Sequence, residues 1–383
     1  MPLNIIIIGS GLIGPRHAQS VVAHPSTTLL ALIDPSPSAS TTAAALQTAY
    51  FPSLRSLLAS SLPKPSAAII CTPNHTHVPI ATDLLAQGIH VLLEKPVSNT
   101  IASGKSLLRT LNEPGNARTK LLVGHHRRFN PFVQRTKQLL DARSLGRVLA
   151  VCGTWAAFKP DAYFAAEGSQ WRRSRDAGGG VVPINLVHDV DVLHYLFGPI
   201  VRVHAEGTMT QRGRKPNEEA GEEGEAGEYP HDAEEGAAVT LRFASGVVGT
   251  FLVCDAAPSP FNFEAGTGEN PLVPRCEDAA AAGFYRILGT QASLSVPDMT
   301  RWSYDGCEEK SWAVPLQSER FEVEPATPFD LQLAHFVDVV ERDVAPSCSA
   351  EDGLRALVVC QGVKEALETG RTVDLDVDLL GDR

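Results

Sequence analysis

Three groups of residues in this sequence have the types and spacing to do chemistry. The first is Glu94-Lys95-Pro96, which follows the apolar run Val91-Leu92-Leu93. A lysine at the end of a buried strand, partly desolvated and near other cations, has a lowered pKa and can exchange a proton with a substrate hydroxyl. The same lysine would equally serve as a partner for Glu94 or for a ligand phosphate. The second group runs from Gly178-Gly179-Gly180 to Asp191. Its glycines permit close backbone approach, and helical spacing sets Asn185, His188 and Asp191 at i, i+3 steps on one face. His188 suits proton transfer near neutral pH, while a hydrogen-bonded packing role is the plainer alternative.

The third group is Gly9-Ser10-Gly11-Leu12-Ile13-Gly14, directly after Ile5-Ile6-Ile7-Ile8. In this G-x-G-x-x-G pattern Gly9 allows a tight turn, and Gly11 lets the backbone, with Leu12 and Ile13, approach a pyrophosphate. Gly14 lets the next helix pack against the strand, with the anion on its N-terminus. A second apolar run, Thr28 to Ile33, ends in Asp34, twenty positions after Gly14. A carboxylate there accepts hydrogen bonds from both adenosine ribose hydroxyls and repels a 2′-phosphate. Pro35-Ser36-Pro37-Ser38 supplies no arginine for such a phosphate, so NAD is expected over NADP. Asp34 as a simple turn residue before Pro35 is the competing reading. His75 with His77, and His125 with His126, lack carboxylate or cysteine partners at ligand spacing, so no metal site is expected.

The elements that must carry these residues follow from periodicity. Strand patterns at 3–8, 28–33, 67–71, 89–93 and 120–124 alternate with helical stretches, as in a doubly wound Rossmann domain with a parallel sheet. The polar turns Thr72-Pro73-Asn74-His75-Thr76-His77 and Glu94-Lys95-Pro96 then fall at carboxyl ends of strands, where ligands bind in such folds. After a helix near 132–142 the pattern changes to longer β-branched segments at 147–156, 200–209, 237–244, 247–254 and 284–289. These predict an open, largely antiparallel sheet, with helices at 184–197, 329–342 and 351–368. The expected division is 1–125 for the nucleotide domain and 126–383 for an α/β domain.

Composition bounds the function. The 383 residues are 43% apolar and carry a net charge of −11, which argues against a nucleic-acid surface. No apolar run reaches the roughly 18 residues of a membrane span, and the first strand starts too early to leave room for a signal peptide. A cytoplasmic protein without membrane or nucleic-acid partners is expected. Seven cysteines without a C-x-x-C pair fit reduced thiols. Residues 211–236 hold nine Asp and Glu against three Arg and Lys and almost no large apolar residue. That segment predicts a disordered acidic loop between two strands.

Taken together, Gly9 to Gly14 with His17, Thr72-Pro73-Asn74 with His77, Glu94-Lys95-Pro96, Arg128-Phe129-Asn130-Pro131, and Gly178-Gly179 through His188 and Asp191 resemble the Gfo/Idh/MocA oxidoreductase family over nearly the whole chain. The resemblance implies a Rossmann domain followed by an open-sheet α/β domain that often forms homodimers or homotetramers through its outer face. It also implies reversible hydride transfer between NAD(P) and a secondary alcohol or ketone of a sugar, polyol or cyclic small molecule. By the same likeness Thr72, Pro73, Asn74, His77, Glu94 and Lys95 join the cofactor site. Lys95 and His188 become the catalytic pair, and Asn185 and Arg127 join them in substrate binding. The family's acid four positions before the histidine is replaced here by Ile184. Residues 256–271 are similar to the branch that includes fungal quinate-utilisation oxidoreductases. In that loop Asn262, Glu264 and Asn270 are candidates either for substrate hydroxyl contacts or for the loop's own hydrogen bonds. The family also holds a cofactor-binding transcriptional repressor, so a catalytically weak nucleotide-sensing protein is the alternative function.

Overall fold

The computed structural model describes residues 2–166, 168–209, 212, 231–278 and 283–379. The chain divides into two compact units, the first formed by residues 1–129, 326–357 and 378–383, the second by residues 130–325 and 358–377.

In the first unit six strands, β1 (Leu3–Ile8), β2 (Thr27–Ile33), β3 (Ala49–Phe51), β4 (Ala67–Ile70), β5 (His90–Glu94) and β6 (Leu121–Gly124), pair in the order β3-β2-β1-β4-β5-β6. Every pairing is parallel. Parallel strands covered on both faces must be apolar throughout, and Ile5, Ile6, Ile7, Ile69, Ile70, Leu92 and Leu93 are accordingly inaccessible to solvent. The register aligns Ile8 with Ile33 and Ile70, and Ile70 with Leu93, so the carboxyl ends of β1, β2, β4 and β5 share one edge. Strand order reverses between β1 and β4, which opens a crevice at that edge. The helix Pro328–Glu341 belongs to this unit and packs on the helix Gly14–Ala23. Ser20 Oγ donates to Asp330 Oδ1 at 2.6 Å, and the Arg16 guanidinium lies 3.9 Å from the Phe329 ring centroid.

The second unit is built on a nine-stranded sheet of β7 (Val148–Ala156), β8 (Ile200–Gly207), β9 (Gly236–Phe243), β10 (Val248–Cys254), β11 (Tyr285–Gly289), β12 (Ala292–Val296), β13 (Thr300–Ser303), β14 (Gln317–Arg320) and β15 (Val373–Asp374). The order is β14-β13-β12-β11-β7-β10-β9-β8-β15. All neighbours are antiparallel except β7 and β10. Period-2 alternation gives this sheet a buried face, including Val151, Trp155, Phe251, Val239, Phe243, Tyr285 and Ile287. The helix Val187–Phe197 covers that face: Phe197 meets Phe243 edge-on at 5.7 Å, and Tyr285 Oη donates to the buried Asp189 at 2.6 Å.

The described part of the acidic segment, Arg212 and residues 231–236, is tied into the fold, unlike the disorder expected over 211–236. Asp232 accepts from Arg175 N at 2.9 Å, Glu234 accepts from Val182 N at 3.1 Å, and Arg212 pairs with Asp255. Its interior, residues 213–230, lies outside the described residues. All seven cysteines are free thiols. Among the described residues no helix is long and apolar enough to cross a membrane.

Candidate active site

In the first unit the crevice between β1 and β4 holds a cavity of about 780 Å³ lined by Gly9, Gly11, Asp34, Cys71, Thr72, Pro73 and their neighbours. That volume lies in the usual range for small-molecule sites. The three glycines of the turn do different work. Gly9 has φ +99°, and a Cβ on it would lie 2.6 Å from Cys71 O. A Cβ on Gly14 would lie 2.0 Å from Gly9 O, whereas one on Gly11 would meet nothing within 4 Å. The first and third are thus required by packing, and the second leaves open space beside the backbone. The helix Gly14–Ala23 starts without a side-chain cap and without an acid in its first turn. Pro15 has no N–H and the Arg16 and His17 amides donate to Ile13 O, so the amide of Gly14 is the one left at this helix start to face an anion.

Asp34 is fixed at the cavity wall. Its Oδ2 accepts from Ser10 N at 2.7 Å and Ser10 Oγ at 2.8 Å, and its Oδ1 accepts from Ser36 N at 2.8 Å. Burial pushes this carboxyl up, but the bonds from Ser36 and Ser10 outweigh it and hold the pKa below the ordinary value. A carboxylate offers about four acceptor positions, so room remains for a ribose hydroxyl. These features fit an NAD moiety.

The expected turn residues take distinct places around the cavity. Thr72 and Pro73 line it. Asn74 opens a short 3-10 turn, Asn74–Thr76, that leads into the helix His77–Ala86. Ile13 immediately precedes the first helix, and Leu12 is 77% exposed. His77 is buried and its two ring nitrogens face Pro96 O at 2.8 Å and Thr72 O at 2.9 Å. It is thus a strut joining the turns after β4 and β5. Burial lowers its pKa against the opposing pull of those carbonyls, both of which favour a protonated ring.

Glu94, the last residue of β5, is buried and shares a hydrogen bond of 2.7 Å with His17 Nε2. Its Oε2 accepts from Lys95 N at 3.2 Å. Burial would raise its pKa, but the His17 bond, with His126 and Lys95 nearby, keeps it below the ordinary value. Lys95 therefore extends from a strand end that a buried carboxylate anchors. Arg127, expected to bind substrate, is among the largest fully buried side chains of the protein, at 2% exposure.

The second unit adds a residue that the motifs did not single out. Asn185 lies in a π-helical turn, Val182–Leu186, that leads directly into the helix Val187–Phe197, on which His188 sits 8% exposed. Such turns hold an extra residue and are frequent at functional sites. Asn185 Oδ1 accepts from Lys159 Nζ at 2.5 Å. Lys159 stands just past β7, its Nζ 3.3 Å from Asp255 Oδ2 and 4.9 Å from the Tyr163 ring centroid. Burial lowers its pKa to about 8, although Asp255 pulls the other way. The sequence offers only a faint signal for it, a lysine-proline pair three residues past a strand where Lys95-Pro96 follows one directly.

All three loop candidates are hydrogen-bonded within the protein. Asn262 caps the helix Phe263–Thr267 by accepting from Ala265 N at 2.8 Å and donates to Ala156 O at 2.8 Å. Asn270 Oδ1 accepts from Leu272 N at 3.1 Å, closing its own turn. Glu264 accepts from Trp155 Nε1 at 3.0 Å. The loop's own hydrogen bonds therefore account for Asn262 and Asn270.

Two family models match the chain. One, described as the oxidoreductase family, NAD-binding Rossmann fold, covers residues 3–124, and the other, the C-terminal alpha/beta domain of that family, covers residues 137–375. The chain belongs to the Gfo/Idh/MocA oxidoreductase family. It is 21% identical to inositol 2-dehydrogenase of Rhizobium meliloti over 98% of this chain and 100% of that protein. It is 25% identical to 1,5-anhydro-D-fructose reductase of Ensifer adhaerens over 83% of this chain and 82% of that protein. In fold it is similar to the WlbA dehydrogenase of Bordetella pertussis, solved with NADH and UDP-GlcNAcA. The TM-score is 0.72 at 21% identity, over 99% of this chain and 100% of that one. The protein is an NAD-binding oxidoreductase of this family, with a parallel Rossmann sheet and a mixed, mostly antiparallel second sheet.

Proposed function

We propose that the protein is an NAD-dependent dehydrogenase that oxidises a secondary alcohol of a sugar, polyol or hydroxylated ring, and reduces the corresponding ketone in reverse. The observation that carries this reading is the cavity at the β1/β4 switch point, walled by Asp34, with Lys95 placed at the end of the adjacent strand β5. The named activities of the family relatives, on inositol and on anhydrofructose, support the same substrate class. Gly9 to Gly14 would hold the pyrophosphate and Asp34 the adenosine ribose, and the nicotinamide supplies the hydride-accepting carbon when bound. Lys95 Nζ takes the proton of the substrate hydroxyl in oxidation and returns it in reduction. His188 binds the same substrate oxygen and relays the proton. Asn185 orients the ring or chain. Ile184 cannot ionise, so the proton chemistry falls on lysine and histidine alone.

The test is a spectrophotometric screen of NAD and NADP reduction against polyols, aldoses, inositols and quinate, followed by Lys95→Ala. Loss of one general acid–base group lowers kcat by about 10²–10⁴-fold. NAD affinity is expected to change little. A parallel loss of affinity would instead make Lys95 a cofactor-binding lysine.

Two further features belong to this reading. The outer face of the nine-stranded sheet exposes Val248, Leu252 and Leu288 at 43–47%, which supports a homodimer or homotetramer formed through it. The seven free thiols support a reducing compartment such as the cytoplasm.

A further inference from the structure

Lys159 plays no part in the reaction as just written, yet its surroundings are built like a ligand site. An ammonium has three donors. Among the described residues Lys159 Nζ finds two acceptors, Asn185 Oδ1 at 2.5 Å and Asp255 Oδ2 at 3.3 Å. Both are held firmly. Asp255 is 2% exposed, pairs with Arg212, donates from its N–H to Glu235 O at 2.9 Å and accepts from Lys159 N at 2.9 Å. Asn185 is 8% exposed in the π-turn. The ammonium also fixes the amide's orientation, because only the oxygen of Asn185 can face a group that has no acceptor. The NH₂ of Asn185 is thereby left as a second donor, with no protein acceptor among the described residues. The rings of Trp155 and Tyr163, with centroids 5.5 and 4.9 Å from Nζ, wall the site. Two adjacent donors beside aromatic walls suit an oxygen-rich, compact molecule.

We propose that Lys159 and Asn185, held by Asp255, form the donor pair of the second unit that binds a pair of substrate oxygens, from adjacent hydroxyls or from one carboxylate. The proposal rests on the dehydrogenase reading above and gives Asn185 its orienting role through Lys159. It makes Lys159 a determinant of specificity, distinct from Lys95. Its pKa of about 8 adds a pH signature: the charged donor is present below that value and lost as pH rises through it.

The test uses the full chain with NAD, labelled with ¹³C at lysine Cε, and the probes myo-inositol and quinate. The Lys159 signal is assigned by its disappearance in Lys159→Arg. We expect a titration midpoint well below that of the exposed lysines, and a shift of this signal when one probe is added. A response to myo-inositol identifies hydroxyls, and a response to quinate alone identifies the carboxylate. In turnover of the responding probe, Lys159→Met should raise KM by about 10–100-fold, as expected for a lost charged hydrogen bond, with kcat within a few-fold. Lys159→Arg should recover part of the affinity and remove the alkaline limb of the kcat/KM profile.

An ordinary titration midpoint, no response to either probe, or a KM unchanged in Lys159→Met overturns the proposal. If Lys159→Met does not fold, the titration and probe responses of the wild-type chain decide. Should the wild type oxidise no polyol, sugar or hydroxy acid, the dehydrogenase reading fails separately. A probe-induced shift of the Lys159 signal would then still sustain the binding site.

Discussion

Asp34 and Lys159 mark opposite ends of what single residues disclose. Asp34 could be singled out because the ribose role proposed for it depends on local facts: an acid at the end of an apolar strand, a fixed distance after the glycine turn. The structure adds Ser10 and Ser36 as the donors that keep it ionised. Asp34→Ala is expected to weaken NAD by about 10–100-fold, the worth of hydrogen bonds to a charged group, and to narrow the preference over NADP. Titration of NADH fluorescence with each variant checks it, and an unchanged NAD/NADP ratio would refute the ribose assignment. Its lowered pKa places any acid loss of NAD affinity below the carboxyl's ordinary value of 3.8, because the binding form is the ionised one. Lys159 was not legible, since a lysine's meaning lies in its burial and in a partner 26 residues away. Asn262, open in sequence between a substrate contact and the loop's own hydrogen bonds, caps a helix. A polar loop residue looks the same in sequence whether it meets a ligand or caps a helix.

The elements were read more securely than the residues. Long apolar strands such as β1 and β10 and the helix Pro131–Asp141 fall within a residue or so of expectation, because their periodicity is repeated over many positions. Short β3 and exposed β14 were missed, having too few residues or too polar a pattern to declare a strand. The glycine turn yields a paired prediction. Gly14→Ala places a methyl against Gly9 O and should cost about 1–3 kcal/mol or more, read as a fall in denaturation midpoint. Gly11→Ala meets no protein atom, so the fold should keep its stability while NAD binding falls. Equal destabilisation by both would mean that the space beside Gly11 is not kept for a cofactor. The π-turn at Val182–Leu186 carries Asn185 and could not be foreseen, since Pro183 and the apolar residues around it fit an ordinary helix start equally well.

At the scale of the whole molecule, the homo-oligomer proposed above can be tested on the outer face of the nine-stranded sheet. Leu252→Glu introduces a charge at a position 43% exposed on β10 without disturbing the buried face. Sedimentation should then report a smaller species than the wild type. A wild-type chain that sediments as a monomer would remove the sheet-face dimer. The sequence by itself determined the alternation of strands and helices in the Rossmann domain, the glycine turn of the NAD pocket and the strand-end place of Lys95, because strand period, turn glycines and strand-end polarity act over a few neighbouring residues. Tertiary structure alone decided that residues 326–357 belong with the first unit, that β7 and β10 run parallel, and that Lys159 faces Asn185 and Asp255. Those outcomes depend on contacts between segments far apart in the chain, whose energies no local pattern records.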